Sequence, residues 1–337
     1  MKHFIGDFSE KTLKSIKKAG IFRGKDGFSF ILTCKYGIIK LNLIGFELVS
    51  QNRTKGEIPS FLTEGMMIID MGKIISVANQ KGGVGKTTTI VNLAAGLGQS
   101  GKKCLLVDMD AQGNSTSGLG INRRELEVST YDLMTGEARA SEAVIKTEFK
   151  KLDIIPSSID LAAAEIELAE EDGRNLKLRQ ALAAIQDQYD YILIDCPPSL
   201  GLITLNAFAA SDSVIVPLQC EYYALEGLSQ LIATIRQVKR FYNPEIELEG
   251  ILMTMYDGRL KLTHQVEDEI KSHFPGQVYE TVIPRNVRLS EAPSFGTPAI
   301  YFDRSSRGSK AYLALTKEIL KMHRKKKKQE VEENGEK

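Results

Sequence analysis

Cysteines are few in this sequence and lie far apart. The four cysteines, Cys34, Cys104, Cys196 and Cys220, show no CxxC spacing. Zinc sites and disulfide frameworks need cysteines grouped at characteristic spacings, so neither kind of site is expected. Scattered cysteines in a chain of this size are typical of a reducing compartment, and we expect a cytoplasmic protein.

Long apolar runs and an excess of one charge are absent too. No stretch approaches the roughly 18 apolar residues of a membrane-spanning helix, and residues 1–20 lack the apolar core of a cleavable signal peptide. Lysine and arginine number 44 against 43 aspartates and glutamates. Net charge therefore gives no reason to expect nucleic-acid binding, which would need a local basic cluster.

The pattern along the chain changes twice. Residues 1–70 contain one candidate amphipathic helix, Ser9–Ala19, followed by strand-like sequence up to Val49. Residues 71–324 alternate apolar strands with helical segments, which predicts an α/β domain: a mostly parallel twisted sheet with helices on both faces. Residues 325–337 are charged without an apolar side, and we expect a flexible tail there.

Within the α/β domain, short apolar runs and helical periodicity define the elements. The predicted strands are Lys73–Ala78, Cys104–Asp108, Leu152–Pro156, Tyr191–Asp195, Ser213–Pro217, Glu249–Thr254 and Val278–Ile283. The predicted helices are Leu161–Glu171, Leu176–Gln188, Ala224–Arg240, Ser309–Met322 and one that follows the first strand's glycine-rich loop through Leu97.

That glycine-rich loop reads NQKGGVGKTT at 79–88, between a predicted strand and a predicted helix. This context is typical of a P-loop, in which glycines let backbone N–H groups surround phosphate oxygens. Lys86 would reach the β- and γ-phosphates, and the Thr87 hydroxyl would ligate Mg²⁺. The match is deviant, because Gln80 stands where the motif requires its first glycine and Lys81 follows it.

Two later strands end in carboxylates. Asp108 and Asp110 follow the apolar run at 105–107, and Asp195 follows the run at 191–194. Ligands bind at the carboxyl ends of strands in open parallel sheets. Asp195 has the Walker B position, in which an aspartate holds Mg²⁺ through water. The three motifs together predict a site that binds ATP with Mg²⁺ and hydrolyses the ATP.

The combination resembles the ParA/MinD group of deviant-Walker P-loop NTPases, and within it the chromosome-partitioning ATPases ParA and Soj. The resemblance extends from Met71 to about Leu320. It is carried by KGGVGKTT at 81–88, LLVDMDAQGN at 105–114, DCPPSLG at 195–201, QCEYYALEGLSQL at 219–231 and VIPRNVRLSEAPSFGTP at 282–298.

This resemblance implies a role for each motif residue. Lys81 would reach across an ATP-dependent homodimer to the other subunit's phosphates, where a basic group neutralises charge on the γ-phosphoryl group. Lys86 would be the P-loop lysine, and Asp110 would position the attacking water. Thr87 and Asp195 would hold Mg²⁺. The residues implied to contact ATP are Lys81, Gly82, Gly83, Val84, Gly85, Lys86, Thr87 and Thr88, with Pro284 and Asn286 at the adenine.

Roles outside the ATP site are implied as well. Arg259 and Arg288 fall where family members carry arginines that bind DNA without sequence preference, although from sequence alone each could equally be a solvated surface residue. The resemblance also implies a ParB-type centromere-binding partner that stimulates a slow ATPase. We therefore expect association with the nucleoid and a function in chromosome or plasmid segregation.

Other members of this fold offer alternatives. The nitrogenase iron protein holds a cluster through two thiolates per subunit, but we interpret Cys196 and Cys220 as small buried residues. The septum-site regulator MinD ends in a membrane-binding helix. Here the apolar residues of Ala311–Met322 suit packing on the domain, and Arg324–Lys328 lacks bulky apolar neighbours, so stable membrane binding is not expected. A nucleotide switch without catalysis remains a further alternative.

Residues 1–70 depart from the family pattern, since compact members begin almost at the first strand. A natural start at Met66, Met67 or Met71 would explain this segment, and we expect that explanation, with a loosely ordered extension before it. The alternative is an accessory domain. A helix-turn-helix there would need two helices, and only one is predicted.

Overall fold

The structure is a computed structural model, and it describes residues 16–24, 27–34, 37–43, 68–69, 71–222 and 224–335. The chain divides into two compact units, Met1–Met71 and Gly72–Lys337.

The first unit contains an antiparallel sheet. Its strands are β1 (Ile16–Gly24), β2 (Gly27–Cys34), β3 (Gly37–Leu43) and β4 (Ile68–Ile69), paired in that order. The strand-like pattern is confirmed at β2 and β3. The helix prediction is wrong over Ile16–Ala19, which pairs with β2 in a hairpin, because cross-strand pairing overrides local helical spacing. The rest of that predicted helix lies outside the described residues.

The second unit is built on a seven-stranded sheet in the order β11-β10-β5-β9-β6-β8-β7. Every pairing is parallel except that of β7, an antiparallel edge strand that the sequence patterns missed. Its strands are β5 (Lys73–Val77), β6 (Cys104–Asp108), β7 (Ile145–Lys146), β8 (Leu152–Ile155), β9 (Tyr191–Asp195), β10 (Ser213–Gln219) and β11 (Glu247–Thr254).

Helices connect these strands. They are α1 (Lys86–Gln99), α2 (Asn114–Gly118), α3 (Thr130–Thr135), α4 (Ala140–Ala143), α5 (Leu161–Glu167), α6 (Lys177–Leu182), α7 (Leu202–Ala210), α8 (Ala224–Phe241), α9 (Lys261–His273), α10 (Val287–Glu291), α11 (Ala299–Phe302) and α12 (Arg307–Gly335). Short 3₁₀ turns lie at Arg123–Glu125, Arg174–Leu176, Gln186–Gln188 and Ala292–Phe295.

Both faces of the sheet are covered by helices, as the sequence predicts. Successive strand residues point to opposite faces, so Ile74 and Ile75 belong to separate apolar clusters. Helices α1 and α12 pack on one face, and α7 and α8 pack on the other. The apolar stripe of α12 contributes Leu315 and Ile319 to the core, which confirms that it packs on its own domain.

The predicted strand Val278–Ile283 is wrong. This segment runs beside β11 but pairs with it only intermittently: the amides of Tyr279 and Ile283 donate to the carbonyls of Ile251 and Met253 at 3.0 and 2.9 Å, and a single isolated bridge lies at Val278. The amides of Glu280 and Thr281 donate to the Glu318 carboxylate instead, at 2.7 and 3.0 Å, which takes them out of any ladder. A carboxylate from a distant helix therefore replaces the strand partner.

Two helix predictions also differ from the structure. The periodic segment Leu176–Gln188 is helical only over α6 before it breaks into turns. The charged tail predicted at 325–337 is helical as far as Gly335. Lysine, glutamine and glutamate are strong helix formers, so a run of them can extend a packed helix without an apolar face.

Helix α12 is fixed to the starts of the central strands by a buried polar network. Glu249 on β11 accepts hydrogen bonds from Lys73 Nζ at 2.7 Å and from His323 Nε2 at 2.6 Å. His323 Nδ1 lies 2.9 Å from the Tyr191 hydroxyl. Burial alone would raise the pKa of Glu249, but His323 and Lys73 lower it below its ordinary value. This network holds the helix against the domain at His323, twelve residues before its end at Gly335.

We expect a chain that begins at Met71 to keep the stability of the second unit. Strand β5 is secured from Gly72 onward, where the Gly72 amide donates to the Gln186 carbonyl at 3.2 Å and Gln186 Nε2 donates back at 2.7 Å. Calorimetry of the shortened and full-length chains should give the same transition for the α/β unit. A decrease in Tm of more than about 5 °C would show that the unit depends on residues before Met71.

Candidate nucleotide site

The glycine-rich loop has the backbone that an anion cradle needs. It connects β5 to α1, and Gly83 and Gly85 have φ angles of +72° and +87°. Only glycine adopts this left-handed region without strain. A Cβ placed on Gly82 or Gly83 would meet no heavy atom within 4 Å, so the space beside the loop is open. The N-terminus of α1 faces the same space and favours negative charge.

Lys86 begins α1 and is 7% exposed. Its Nζ donates to the Lys81 carbonyl at 3.1 Å. Burial lowers its pKa, while the charges of Asp195 and Asp110 raise it in opposition. The ammonium is thus largely shielded from water and lies close to the acidic residues of the site.

Two carboxylates of the site are buried side by side. Asp108 and Asp195 end β6 and β9 and are direct neighbours in the strand register. Asp108 Oδ2 accepts from the Thr116 hydroxyl and amide at 2.7 and 2.8 Å, and Asp195 Oδ2 accepts from the Ser115 hydroxyl at 2.7 Å. The sequence analysis gave Asp108 no role. Its position next to the Walker B strand end becomes apparent only from the sheet order.

Asp195 is suited to a cation. Its Oδ1 is buried and has no hydrogen-bond partner among the described residues. Burial first, and then the charge of Asp108, raise the pKa of Asp195 to about 8, and burial raises the pKa of Asp108 to about 6. The Thr87 hydroxyl is near enough to lower the pKa of Asp195. A buried, unpaired carboxylate oxygen beside a hydroxyl fits Mg²⁺, which prefers oxygen ligands.

Asp110 lies in a tight turn just beyond this pair. Its amide donates to Asp108 Oδ1 at 3.2 Å, and its own Oδ1 accepts from the Gln112 amide at 2.9 Å. The side chain is only half-buried. Its charge acts on Lys86, which places it within electrostatic range of the P-loop. It therefore has both a fixed backbone and access to solvent.

The turn that carries Asp110 is held by Arg123, a residue that sequence analysis missed. The guanidinium donates to the carbonyls of Ala111 at 2.7 Å, Gln112 at 2.6 Å and Ser157 at 3.4 Å. Gly113 has a φ of +59°, a left-handed conformation that favours glycine, and a Cβ there would also displace the Arg123 side chain. Nothing in the spacing of the sequence marks Arg123, because its partners are backbone atoms.

Lys81 points away from the loop of its own chain. Its ammonium forms an exposed ion pair with Glu221, and its amide donates to Asn79 Oδ1 at 2.9 Å. Exposed pairs contribute little to stability, roughly 0 to 1 kcal/mol. Lys81 can therefore exchange this partner at small cost.

A cleft of about 430 Å³ opens beside the P-loop. Its walls are α1, α2 and the segment 289–299, through Thr87, Thr88, Val91, Asn92, Asn114, Ser117, Gly118, Leu289, Ala292, Pro293, Ser294, Thr297, Pro298 and Ala299. Pro284 and Asn286 are not among the lining residues. Asn286 instead caps α10 by accepting from the Arg288 amide at 3.0 Å.

The two arginines with an implied DNA role are both ion-paired within the chain. Arg259 Nη2 lies 2.6 Å from Asp257 Oδ2. Arg288 Nη1 lies 2.7 Å from Glu291 Oε2, and its Nε lies 3.4 Å from Asp303 Oδ2. Both arginines are exposed. Their charge is partly compensated before any ligand approaches.

The two cysteines considered as cluster ligands, Cys196 and Cys220, differ in burial. Cys196 is buried next to Asp195, as predicted, whereas Cys220 is only half-buried. Burial raises the pKa of Cys220 to about 11, so its thiol is protonated.

Comparison with known proteins identifies the family. The model of a family described as AAA domain matches residues 72–248. The sporulation initiation inhibitor protein Soj of Bacillus subtilis is 56% identical over 249 residues, which cover 74% of this chain and 98% of that protein. The chromosome partitioning protein ParA of Myxococcus xanthus is 53% identical, covering 74% and 89%. The chain belongs to the ParA/Soj family. The chromosome-partitioning ATPase Soj of Treponema pallidum is 48% identical, covering 74% and 98%.

Solved structures share the fold of this ParA/Soj family member. Cobyrinic acid a,c-diamide synthase from Mycobacterium smegmatis, solved with a bound ATP analogue and magnesium, matches with a TM-score of 0.66 and 36% identity over 75% of this chain and 96% of that one. Among the described residues, no helix is both long and apolar enough to cross a membrane.

We expect the substitution Asp195→Asn to stabilise the nucleotide-free protein, and more so at higher pH. An unfolded aspartate titrates near pH ~4, whereas burial raises the pKa of Asp195 to about 8 in the fold. Folding must keep Asp195 protonated or bury its charge, so this group lowers the free energy of unfolding progressively as pH rises from about 4 to about 8. Above about pH 8 the loss of stability reaches its full size. Thermal unfolding without nucleotide should show a larger gain in Tm at about pH 8 than at about pH 5. An equal gain at both would contradict the burial argument.

Arg123→Ala should slow ATP hydrolysis without weakening ATP binding. Loss of the guanidinium frees the turn that carries Asp110 but leaves the P-loop intact. We expect kcat to fall by roughly ten- to a hundredfold, the scale of a small misplacement of a reacting group, with KM for ATP unchanged. Arg124→Ala, at the exposed neighbouring position, is the matched control. A rise in KM with constant kcat would place Arg123 in substrate binding instead.

Proposed function

We propose that this chain is a partitioning ATPase that dimerises on binding ATP, binds DNA without sequence preference and hydrolyses ATP when a ParB-type partner stimulates it. The observation that carries the proposal is the buried Asp195 carboxylate, with an unpaired oxygen, beside an open P-loop and a shielded lysine. The names of the related proteins support the partitioning role.

Each residue of the site has a chemical task in this proposal. Thr87 and Asp195 hold Mg²⁺, which neutralises phosphate charge when bound. Backbone amides of Gly82, Gly83 and Gly85 surround the phosphates, and Lys86 contributes a positive charge. Asp110 orients water, with Arg123 fixing its turn. The nucleoside enters the cleft between α1 and the segment 289–299, with Pro284 and Asn286 on the approach to the adenine.

The dimer assigns a task to Lys81. An exposed ammonium held only by Glu221 can move to the γ-phosphate of a second subunit, where a basic group in trans stabilises the developing charge. Arg259 and Arg288 contact the DNA backbone, for which each must leave its carboxylate partner. Hydrolysis then dissolves the dimer and releases the DNA, and a bound ParB-type protein sets the time of release.

A pair of variants tests this cycle. Asp110→Ala should bind ATP and accumulate a DNA-bound dimer, because it removes the group that orients water and leaves phosphate binding intact. Lys86→Ala should neither bind ATP nor dimerise, because the buried charge beside the phosphates is lost. Light scattering with ATP or ADP, followed by a gel shift on duplex of arbitrary sequence, measures both steps. A monomeric Asp110→Ala protein in ATP, or equal DNA binding with ATP and ADP, would contradict the proposal.

A further inference from the structure

The last helix carries a stripe of positive charge that no part of the nucleotide site uses. Five exposed basic residues lie at helical spacing on one side of α12: Lys317, Lys321, Arg324, Lys325 and Lys328. Together with Ser100 and Leu320 they line a shallow groove of about 470 Å³. Intervals of three and four residues place side chains on the same helix face. We call these five residues the α12 stripe.

Most of the stripe lacks compensating charge. Within the part of the chain that the structure describes, Lys317, Lys321, Arg324 and Lys325 form no ion pair or side-chain hydrogen bond. Arg259 and Arg288, by contrast, are both ion-paired. An anion that approaches these four residues gains attraction without first breaking an internal pair. They are therefore a concentration of unpaired positive charge in a chain whose formal net charge is only +1.

The stripe is also held in place, although it lies near the chain end. His323 sits within it in sequence and is bound to Glu249 and Tyr191 beneath the helix. Lys326 pairs at 3.5 Å with Glu247, which begins β11, the strand that also carries Glu249. The helix therefore presents its cations from a fixed backbone, so little backbone freedom is lost when a ligand binds.

The shape of the stripe favours a linear polyanion. From Lys317 to Lys328 the helix rises about 16 Å, with about 6 Å between residues four apart. Duplex DNA carries one negative charge per ~1.7 Å of its axis, so several phosphates come within reach. A lipid surface would require bulky apolar side chains beside the cations. The only apolar residue in the groove is Leu320, which packs against the core.

We propose that the α12 stripe is a second binding site for the phosphate backbone of duplex DNA, separate from Arg259 and Arg288. This inference rests on the proposed DNA-dependent function and adds a surface to it. Helix α1 starts at the P-loop and ends beside the groove at Ser100, after 14 residues or roughly 21 Å. The stripe would therefore contact DNA at the end of α1 that lies away from the P-loop. Because it is remote from the nucleotide, its loss should leave ATP turnover unchanged.

The test is DNA binding by the full chain with ATP and Mg²⁺, measured at several salt concentrations. Lys321→Glu with Lys325→Glu should weaken binding to a duplex of arbitrary sequence by at least about tenfold and reduce the log–log salt slope by about 2. Lys146→Glu with Arg236→Glu changes net charge equally at exposed positions elsewhere and should leave both values unchanged. Lys321→Gln with Lys325→Gln tests the same contacts without introducing negative charge. Basal ATPase activity and Tm establish that each variant is folded.

The outcomes separate this inference from the proposed function. If the unaltered protein binds DNA and the stripe variants keep its affinity and slope, the stripe is a solvated face and the inference is wrong while the function stands. If the unaltered protein does not bind DNA with ATP, both are wrong. If the stripe variants lose binding to vesicles of phosphatidylglycerol but keep DNA binding, the stripe serves a membrane surface, and the inference is again overturned.

Discussion

Two carboxylates buried side by side at the centre of the sheet set the requirements for the rest of the domain. Asp108 and Asp195 end neighbouring parallel strands, where no water screens either charge. Two carboxyl groups so close together and so buried cannot both ionise unless positive charge or hydrogen-bond donors compensate them. The hydroxyls of Ser115 and Thr116 satisfy one oxygen of each carboxylate, and Asp195 Oδ1 is left unpaired. In the proposed function, a cation with bound phosphates would supply the missing charge.

The surrounding elements follow from that requirement. The P-loop and Lys86 bring positive potential from β5, the neighbour of β9 in the sheet. Helix α2 brings the two hydroxyls, and the turn before it carries Asp110. Arg123 fixes this turn through backbone carbonyls, which keeps its conformation independent of the side chains in the turn. Three chain segments thus converge on one pair of acids, and we propose that nucleotide and magnesium bind there.

The sequence predicted the sheet and the glycine-rich loop between β5 and α1 because both depend on local patterns. Apolar runs of about five residues, and a glycine-rich loop before a helix, can be recognised in the sequence without knowledge of the tertiary structure. The failures have long-range causes. Val278–Ile283 is displaced from the sheet by a carboxylate on α12, and Ile16–Ala19 takes its conformation from a hairpin partner. Arg123 and the cleft wall at 289–299 act through contacts between distant segments, so no spacing in the sequence marks them.

Charge along this molecule is better described by its pairing than by its total. The formal net charge of +1 does not distinguish Arg259 and Arg288, which are paired with carboxylates, from the lysines of the α12 stripe that are not. Unpaired cations attract a polyanion over the range of a Debye length, about 8 to 10 Å at moderate salt. In the proposed function, the distribution of these pairs therefore says more than the net charge about where DNA would bind.

The central claim is that the buried carboxylate and the P-loop form one site for ATP with Mg²⁺. Equilibrium titration of ATP with and without Mg²⁺, on the unaltered protein and on Asp195→Asn, tests it most directly. The account predicts that Mg²⁺ tightens ATP binding to the unaltered protein and that Asp195→Asn loses at least about tenfold of this gain, the scale of a residue that supports a metal site. An equal gain from Mg²⁺ in both proteins would contradict the account.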